Sequence, residues 1–121
     1  MTLKACVRGV FLVAILESAA PAMAVNLSFI KDAPYGQFTK EDHRIFNAAL
    51  DNLLDQGVDG ETRAWSNPAS DASGEIKTVK TFERAGATCR TLAIANKAKG
   101  LSGSGKYNFC RQKTGKWALA N

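Results

Sequence analysis

The sequence contains few of the residues that build metal sites and redox centres. It has one histidine and three cysteines in 121 residues. A structural metal site usually needs four protein ligands, and a dithiol redox site usually holds its sulfurs in a Cys-x-x-Cys pair. Cys89 and Cys110, the two cysteines of the C-terminal half, are far apart along the chain. We therefore predict neither a metal site nor a cofactor.

The sequence also lacks a hydrophobic run long enough to cross a bilayer, which takes about 20 residues. Its main apolar run, Val10 to Leu16, follows Lys4 and Arg8 and precedes Ala22-Met23-Ala24. A basic start, a short apolar stretch and an Ala-x-Ala ending are typical of a secretory signal peptide. We predict that residues 1–24 are such a peptide and that the chain has no transmembrane segment.

Cleavage of the signal peptide is predicted between Ala24 and Val25. The product is expected to be periplasmic or secreted, with association with the outer membrane left open. Cys6 precedes the apolar run, whereas the acylated cysteine of a lipoprotein follows it. No lipid anchor is therefore predicted.

Removal of the signal peptide leaves Cys89 and Cys110 as the only two cysteines. An isolated pair in an oxidising compartment usually forms a disulfide. A domain of this size buries only about 60–65 % of its unfolded surface, so a crosslink that stabilises it by about 3 kcal/mol matters. We predict a structural disulfide between the two.

The clearest secondary-structure pattern follows an N-terminal arm, residues 25–38. Thr39 and Asp42 have the spacing of a capping box, and Gly57 is expected to end the helix. Between them apolar residues recur every three or four positions. We predict an amphipathic helix over Lys40–Gln56 whose polar side, including Asp42, faces water. His43 is also expected to be exposed.

Beyond Gly60 the chain alternates between β-prone segments and turn residues. Strands are predicted over residues 61–66, 75–83, 88–95, 106–112 and 116–120. Asn96 to Gly105 is predicted to be a flexible polar loop. The fold class is therefore α+β, in which one N-terminal helix packs on a four- to five-stranded antiparallel sheet. A single domain is expected over residues 39–121, with Trp65 and Trp117 as structural anchors.

Charge is distributed unevenly along a chain whose net charge is +5. Residues 25–75 contain nine acidic and four basic side chains, and residues 76–121 contain ten basic and one acidic. Such segregation indicates either a surface that binds polyanions or two halves that neutralise each other across the fold. Both interpretations stay open. The candidate basic binding face consists of Lys97, Lys99, Lys106, Arg111, Lys113 and Lys116.

Aromatic residues lie among these basic ones, a combination that nucleic-acid-binding surfaces use. An exported protein meets little nucleic acid, so no nucleic-acid partner is predicted. Anionic cell-envelope polymers, lipid head groups or a protein partner are expected instead.

No set of residues indicates catalysis. His43 has no nucleophile or orienting group near it in the sequence, and acidic residues at a helix start are explained by the helix dipole. The segment Gly100 to Gly105 lacks the strand-to-helix context of a phosphate-binding loop. We predict no catalytic residue and a protein that is not an enzyme.

Several short motifs occur in a characteristic order between residues 45 and 119. They are Ala49-Leu50, Trp65-Ser66-Asn67-Pro68, Ser73-Gly74, Thr81-Phe82, Cys89-Arg90, Cys110-Arg111 and Gly115-Lys116-Trp117. The pattern resembles the C-terminal domain of the rickettsial 17-kilodalton common surface antigen and related envelope proteins. The resemblance implies an envelope setting and supports the disulfide, and it supplies no catalytic residue.

The chain departs from that family's usual pattern in two respects. Members are typically lipoproteins with a glycine-rich segment before this domain, whereas this sequence has no lipid-acceptor cysteine and no such segment. A free periplasmic or secreted form is therefore expected.

Two functional hypotheses follow. The first is an exported, non-enzymatic binding module of the envelope or periplasm that presents a basic face to an anionic polymer, a lipid or a protein. The alternative is a secreted protein inhibitor, or a factor that interacts with a host or partner protein through a loop such as Asn96 to Gly105.

Overall fold

The computed structural model describes residues 33–120. The predicted signal peptide, its cleavage site at Ala24 and Val25, and the first part of the arm lie outside the described residues. The elements are α1 (Ala33–Gly36), α2 (Lys40–Gln56), β1 (Thr62–Asn67), β2 (Ala72–Arg84), β3 (Ala87–Ala98), β4 (Leu101–Arg111) and β5 (Trp117–Ala120). The five strands form one antiparallel sheet in the order β1-β2-β3-β4-β5. The predicted antiparallel sheet is confirmed.

Helix α2 has the predicted bounds because both of its ends are determined locally. The Thr39 hydroxyl accepts a hydrogen bond from Asp42 N at 3.1 Å, and the Asp42 carboxylate accepts one from Thr39 N at 2.8 Å. These two bonds are the predicted capping box. At the other end Gly57 N donates to Leu53 O at 2.8 Å. A Cβ on Gly57 would lie 2.6 Å from the backbone oxygen of Leu53, so a larger residue would force the end of the helix to shift.

The β3–β4 hairpin corrects the prediction of a flexible loop over Asn96 to Gly105. The two strands pair without interruption as far as Ala98 and Leu101, and only Lys99 and Gly100 form the turn. Both turn residues have positive φ, 55° and 77°, which is the backbone geometry of the tight hairpin turns that match strand twist. The glycines and serines of this segment suggested a loop, but their pairing with the apolar strand β3 holds them extended.

The β1–β2 connection is also shorter than predicted. Ala72, Ser73 and Gly74 lie in β2 and pair with β1 or β3, although the second strand was predicted to begin only at residue 75.

One cluster of buried side chains contains residues of α2 and of all five strands. Its members are Phe46, Leu50, Leu53, Leu54, Trp65, Ala72, Ile76, Leu92, Ile94, Ala98, Phe109 and Trp117. Trp65 is 5 % exposed and Trp117 is 6 % exposed. The two tryptophans are therefore residues of the hydrophobic core.

The last part of the predicted arm packs on α2. The rings of Tyr35 and Phe38 lie 4.9 Å and 5.3 Å from the imidazole of His43, in edge-to-face arrangements. Phe38 also contacts Trp65, at 5.1 Å between ring centroids. His43 is half-buried as a result, and the expectation that it is exposed was wrong.

Candidate functional site

The tryptophan and asparagine of the Trp-Ser-Asn-Pro motif connect strands and helix inside the protein. Trp65 Nε1 donates to Asn96 Oδ1 at 3.1 Å, across the sheet from β1 to β3. Asn67 Nδ2 donates to Asp42 Oδ1 at 2.7 Å, which ties β1 to the first turn of α2. Both contacts are buried. The motif therefore supports the fold.

Asp42 corrects the prediction that it faces water, because only 1 % of its surface is exposed. Besides its bond from Thr39 N, the carboxylate accepts hydrogen bonds from Asn67 and from Ser70 Oγ, the latter at 2.6 Å. Burial alone would raise the pKa of Asp42, but the bonds from Ser70, Thr39 and Asn67 outweigh it and lower the pKa below its ordinary value.

The lowered pKa of Asp42 predicts an acid-sensitive contribution to stability. The ionised carboxylate stabilises the fold above its unfolded-state pKa, about 3.9, and this contribution is lost as the pH falls through the folded-state value. Asp42→Asn is expected to cost about 1–3 kcal/mol at neutral pH. The difference from the unmodified chain should shrink in acid, as measured by urea unfolding at about pH 7 and about pH 3.

Asp51→Asn is the matched control on the same helix. Burial, and then the charge of Asp55, raise the pKa of Asp51, so removing that charge should not destabilise the protein at neutral pH. An Asp42→Asn effect of equal size at both pH values would contradict the assignment.

The C-terminal end of α2 is held by residues of three strands. Arg90 Nη1 donates to Leu53 O at 3.0 Å, and Trp117 Nε1 donates to Asp55 Oδ1 at 2.8 Å. Arg111 forms an ion pair with Asp55 at 3.4 Å, and its guanidinium lies 5.3 Å from the centre of the Trp117 ring. Here the basic and acidic halves of the sequence do meet across the fold.

Cys89 and Cys110 form the predicted disulfide. They are directly opposite each other in the β3–β4 ladder, 21 positions apart in sequence. Cys89 is fully buried. The bond crosslinks two neighbouring strands at the end of the hairpin far from its Lys99-Gly100 turn.

A concave surface lies on the outer face of the sheet, by which we mean the face that carries the side chains of Glu75, Ala95 and Ser104, which are aligned across β2, β3 and β4. Side chains alternate between faces along each strand. A cavity of about 650 Å³ there adjoins one of about 390 Å³, and both are lined by Glu75, Ala95 and Ser104. We call the two together the outer groove. Its floor carries small side chains, among them Ala64, Ser73, Ala93, Ala95, Ser102 and Ser104.

Three exposed lysines border this small-residue floor. Lys77 of β2 and Lys106 of β4 are both opposite Ala93, so their Cα atoms are about 10 Å apart. Lys97 lines the larger cavity. Within residues 33–120 none of the three forms an ion pair. One carboxylate, Glu75, shares the groove, which leaves it with a positive charge.

The six residues of the predicted basic face do not form one cluster. Lys97 lies close to the β3–β4 turn, Lys99 lies in it and Lys106 is the sixth of the eleven residues of β4. Lys97 and Lys106 line the outer groove. Arg111 ends β4, and Lys113 and Lys116 lie in the connection to β5. Lys106 and Arg111 are five positions apart in β4, so alternation places their side chains on opposite faces of the sheet, and Arg111 is not part of the outer groove.

Sequence reasoning missed Lys77 as a groove residue. The sequence placed Lys77 in the second predicted strand but did not show which residues lie beside it across the sheet. Ile76 and Thr78, on either side of Lys77, are both buried. Alternation along the strand could therefore have placed Lys77 on the opposite, exposed face.

The sequence matches a known protein family. The family described as 17 kDa outer membrane surface antigen matches residues 52–118, which is more than half of the chain. The chain belongs to this family. No curated protein and no solved structure gives a significant match.

The surface-antigen match begins in α2 and ends in β5, so it contains the outer groove, the disulfide and the cluster around Asp55. It indicates an exported, envelope-associated protein. None of the helices in residues 33–120 has the length and apolar character needed to cross a membrane. The same residues contain no cluster of three or more histidine, cysteine or acidic side chains suited to a metal ion.

Proposed function

We propose that this surface-antigen domain is a non-enzymatic binding module that holds an anionic cell-envelope polymer in the outer groove, in the periplasm or outside the cell. The observation that carries the proposal is the set of three exposed lysines, Lys77, Lys97 and Lys106, around a floor of small side chains. None of them is neutralised by an ion pair within residues 33–120.

The shape of the outer groove favours an extended polymer over a small compact ligand. Two cavities of about 650 and 390 Å³ lie end to end along the sheet and are open to solvent. The small residues of the floor allow a chain to lie against the backbone. Lysine side chains are long enough to follow it and contact phosphate or carboxylate groups with their ammonium ends.

The arrangement also explains why the polymer should be anionic. Glu75 is the one carboxylate in the groove and three ammonium groups oppose it. The residues beyond Glu83 contain no aspartate or glutamate, so the surrounding half of the domain repels cations. Family membership supports an envelope setting, in which such polymers are abundant.

Binding is expected to depend on the groove lysines and on salt. Lys77→Gln, Lys97→Gln and Lys106→Gln together should weaken binding of purified lipopolysaccharide about tenfold, since each exposed charge contact contributes about 0.5 kcal/mol. Titration calorimetry at low and at physiological ionic strength measures this, and affinity should fall with salt because screening is strong at exposed sites.

A triple variant of equal charge change is the control. Lys40→Gln, Lys113→Gln and Lys116→Gln remove three exposed lysines that lie outside the groove, and this variant should bind almost as well as the unmodified chain. Equal losses in the two triple variants would mean that only net charge matters. Absence of binding at low ionic strength, repeated with anionic vesicles and peptidoglycan, would refute the proposal.

A further inference from the structure

A β-bulge in β2 changes which of its side chains share a face with the outer groove. Lys77 of β2 pairs with Ala93 of β3. Two positions earlier in β3, Thr91 pairs with Lys80. Three steps along β2 therefore match two steps along β3, which makes Val79 an extra residue in β2. A bulge of this kind redirects the side chains that follow it.

The bulge brings a second group of β2 side chains onto the outer face. Lys80, Phe82 and Arg84 pair with residues 91, 89 and 87 of β3. These odd-numbered residues share a face with Ala95, which lines the outer groove. Regular alternation from the buried Ile76 would instead have turned the three side chains toward the hydrophobic core.

The three redirected side chains lie close to one another. Lys80 Nζ is 5.5 Å from the centre of the Phe82 ring, and the guanidinium carbon of Arg84 is 5.4 Å from it. Both cations are exposed and the ring is half-buried. Attraction between each cation and the face of the ring orients two long side chains. The two positive groups are no farther apart than about 11 Å, the sum of these distances.

We propose that Lys80, Phe82 and Arg84 form a phosphate-binding subsite for the envelope polymer that lies in the outer groove. This inference rests on the proposed function and adds that the polymer is a glycan with phosphate groups. The planar guanidinium of an arginine matches two phosphate oxygens, and the ammonium of a lysine adds a point charge. Because an arginine carries five N–H donors, its contact with a phosphate is compatible with further bonds to the protein.

The proposed subsite is continuous with the outer groove. Lys77 lines the groove, and Lys80 holds the next position of β2 on the same face, about 7 Å away. Within residues 33–120 Lys80 forms no ion pair. Glu83 belongs to the opposite face by alternation, and its carboxylate accepts a hydrogen bond from Thr88 Oγ1 at 3.1 Å. A chain that leaves the groove at Lys77 therefore meets further positive charge.

Phe82 also has a structural role, which the experiment must separate from the proposed one. It pairs with Cys89, which is fully buried in the disulfide. Covering the disulfide requires an apolar side chain but no neighbouring cations. Phe82→Leu keeps an apolar side chain at this position and removes the aromatic ring that orients Lys80 and Arg84.

The experiment compares two forms of one soluble probe. The first is the lipid-free core oligosaccharide of purified lipopolysaccharide, which carries phosphates and carboxylates, and the second is the same oligosaccharide after chemical removal of its phosphates. Titration calorimetry at low ionic strength measures the affinity of the purified protein for each. Removal of the phosphates should weaken binding, and this loss should be about fivefold smaller in the variant Lys80→Gln, Arg84→Gln.

Two further variants are the controls. Lys40→Gln with Lys113→Gln makes the same change in net charge at exposed positions outside the groove and the subsite, and should be as sensitive to phosphate removal as the unmodified chain. Phe82→Leu should show an intermediate sensitivity, because it retains both cations but not their orientation. Circular dichroism and thermal melting establish that the variants are folded.

The possible outcomes separate this subsite from the groove. Equal sensitivity to phosphate removal in Lys80→Gln, Arg84→Gln and in the unmodified chain would overturn the subsite and leave the groove proposal standing. Absence of oligosaccharide binding by every protein would overturn both. Phospholipid vesicles without saccharide are the last probe. A loss of vesicle binding larger in Lys80→Gln, Arg84→Gln than in the charge-matched control would assign the pair to a lipid surface and would also overturn the subsite.

Discussion

Leu53→Ala is expected to lower the free energy of unfolding by about 2–5 kcal/mol, among the largest effects of any single substitution in this protein. Leu53 is fully buried, in a cluster that also contains Ile76 and Leu92 of the sheet. Truncation removes apolar contact and leaves a cavity, which the neighbouring side chains fill only in part. The carbonyl of Leu53 keeps its hydrogen bonds from Gly57 and Arg90, so the loss isolates the side chain.

Val58→Ala is the natural control for Leu53→Ala. Val58 lies five positions later and is 66 % exposed, so its truncation should change stability by no more than about 0.5 kcal/mol. Urea unfolding of both variants, monitored by tryptophan fluorescence, makes the comparison. Similar small effects at both positions would show that the face of α2 that carries Leu53 does not pack as described.

Removal of the Cys89–Cys110 disulfide should have an effect of similar size. Replacement of both cysteines by alanine, or reduction of the bond, is expected to cost about 3 kcal/mol, mainly because the unfolded chain becomes less constrained. In a domain of this size, each kcal/mol shifts the melting temperature by about 4–8 °C. We therefore expect melting to fall by about 10–25 °C.

Calorimetry with and without reductant tests the role of the disulfide. Reductant should lower the melting temperature of the unmodified protein and leave the Cys89→Ala, Cys110→Ala protein unchanged, which controls for other effects of the reagent. An intact mass that rises by about two hydrogens on reduction confirms that the bond was present at the start. An unchanged melting curve after complete reduction would mean that the bond adds no stability.

Most residues of the motifs that carry the family resemblance stabilise the fold. Trp65 and Asn67 donate buried hydrogen bonds to Asn96 and Asp42. Trp117 and Arg111 contact Asp55, and Cys89 forms the disulfide. A motif that is built from buried contacts identifies a fold reliably. It does not identify a ligand, which explains why the surface residues had to be found from the sheet.

Local interactions made α2 predictable from sequence. The capping box joins Thr39 to a residue three positions later, and Gly57 contacts Leu53 four positions earlier. Short-range contacts of this kind depend on spacing alone. The turn at Ala85-Gly86 is also a local structure. Both residues have positive φ, and the residues on either side of them, Arg84 and Ala87, pair directly.

Long-range contacts explain the wrong predictions. Asp42 is buried against its hydrogen-bond partners Asn67 and Ser70, which lie 25 and 28 positions later in the chain. The residues next to Asp42 in the sequence do not indicate these partners. Asn96 to Gly105 has the composition of a loop, but pairing with β3 fixes it as strand. In both cases tertiary contacts outweighed the local preference.

The sequence by itself determined the helix, the antiparallel sheet, the disulfide partners and the family, because each depends on residue type and on spacing along the chain. Only the tertiary structure decided which basic residues act together. It joined Lys77 to Lys97 and Lys106 on one face and bound Arg111 to Asp55. The physical reason is register, because the alignment of the strands across the sheet decides which side chains share a face.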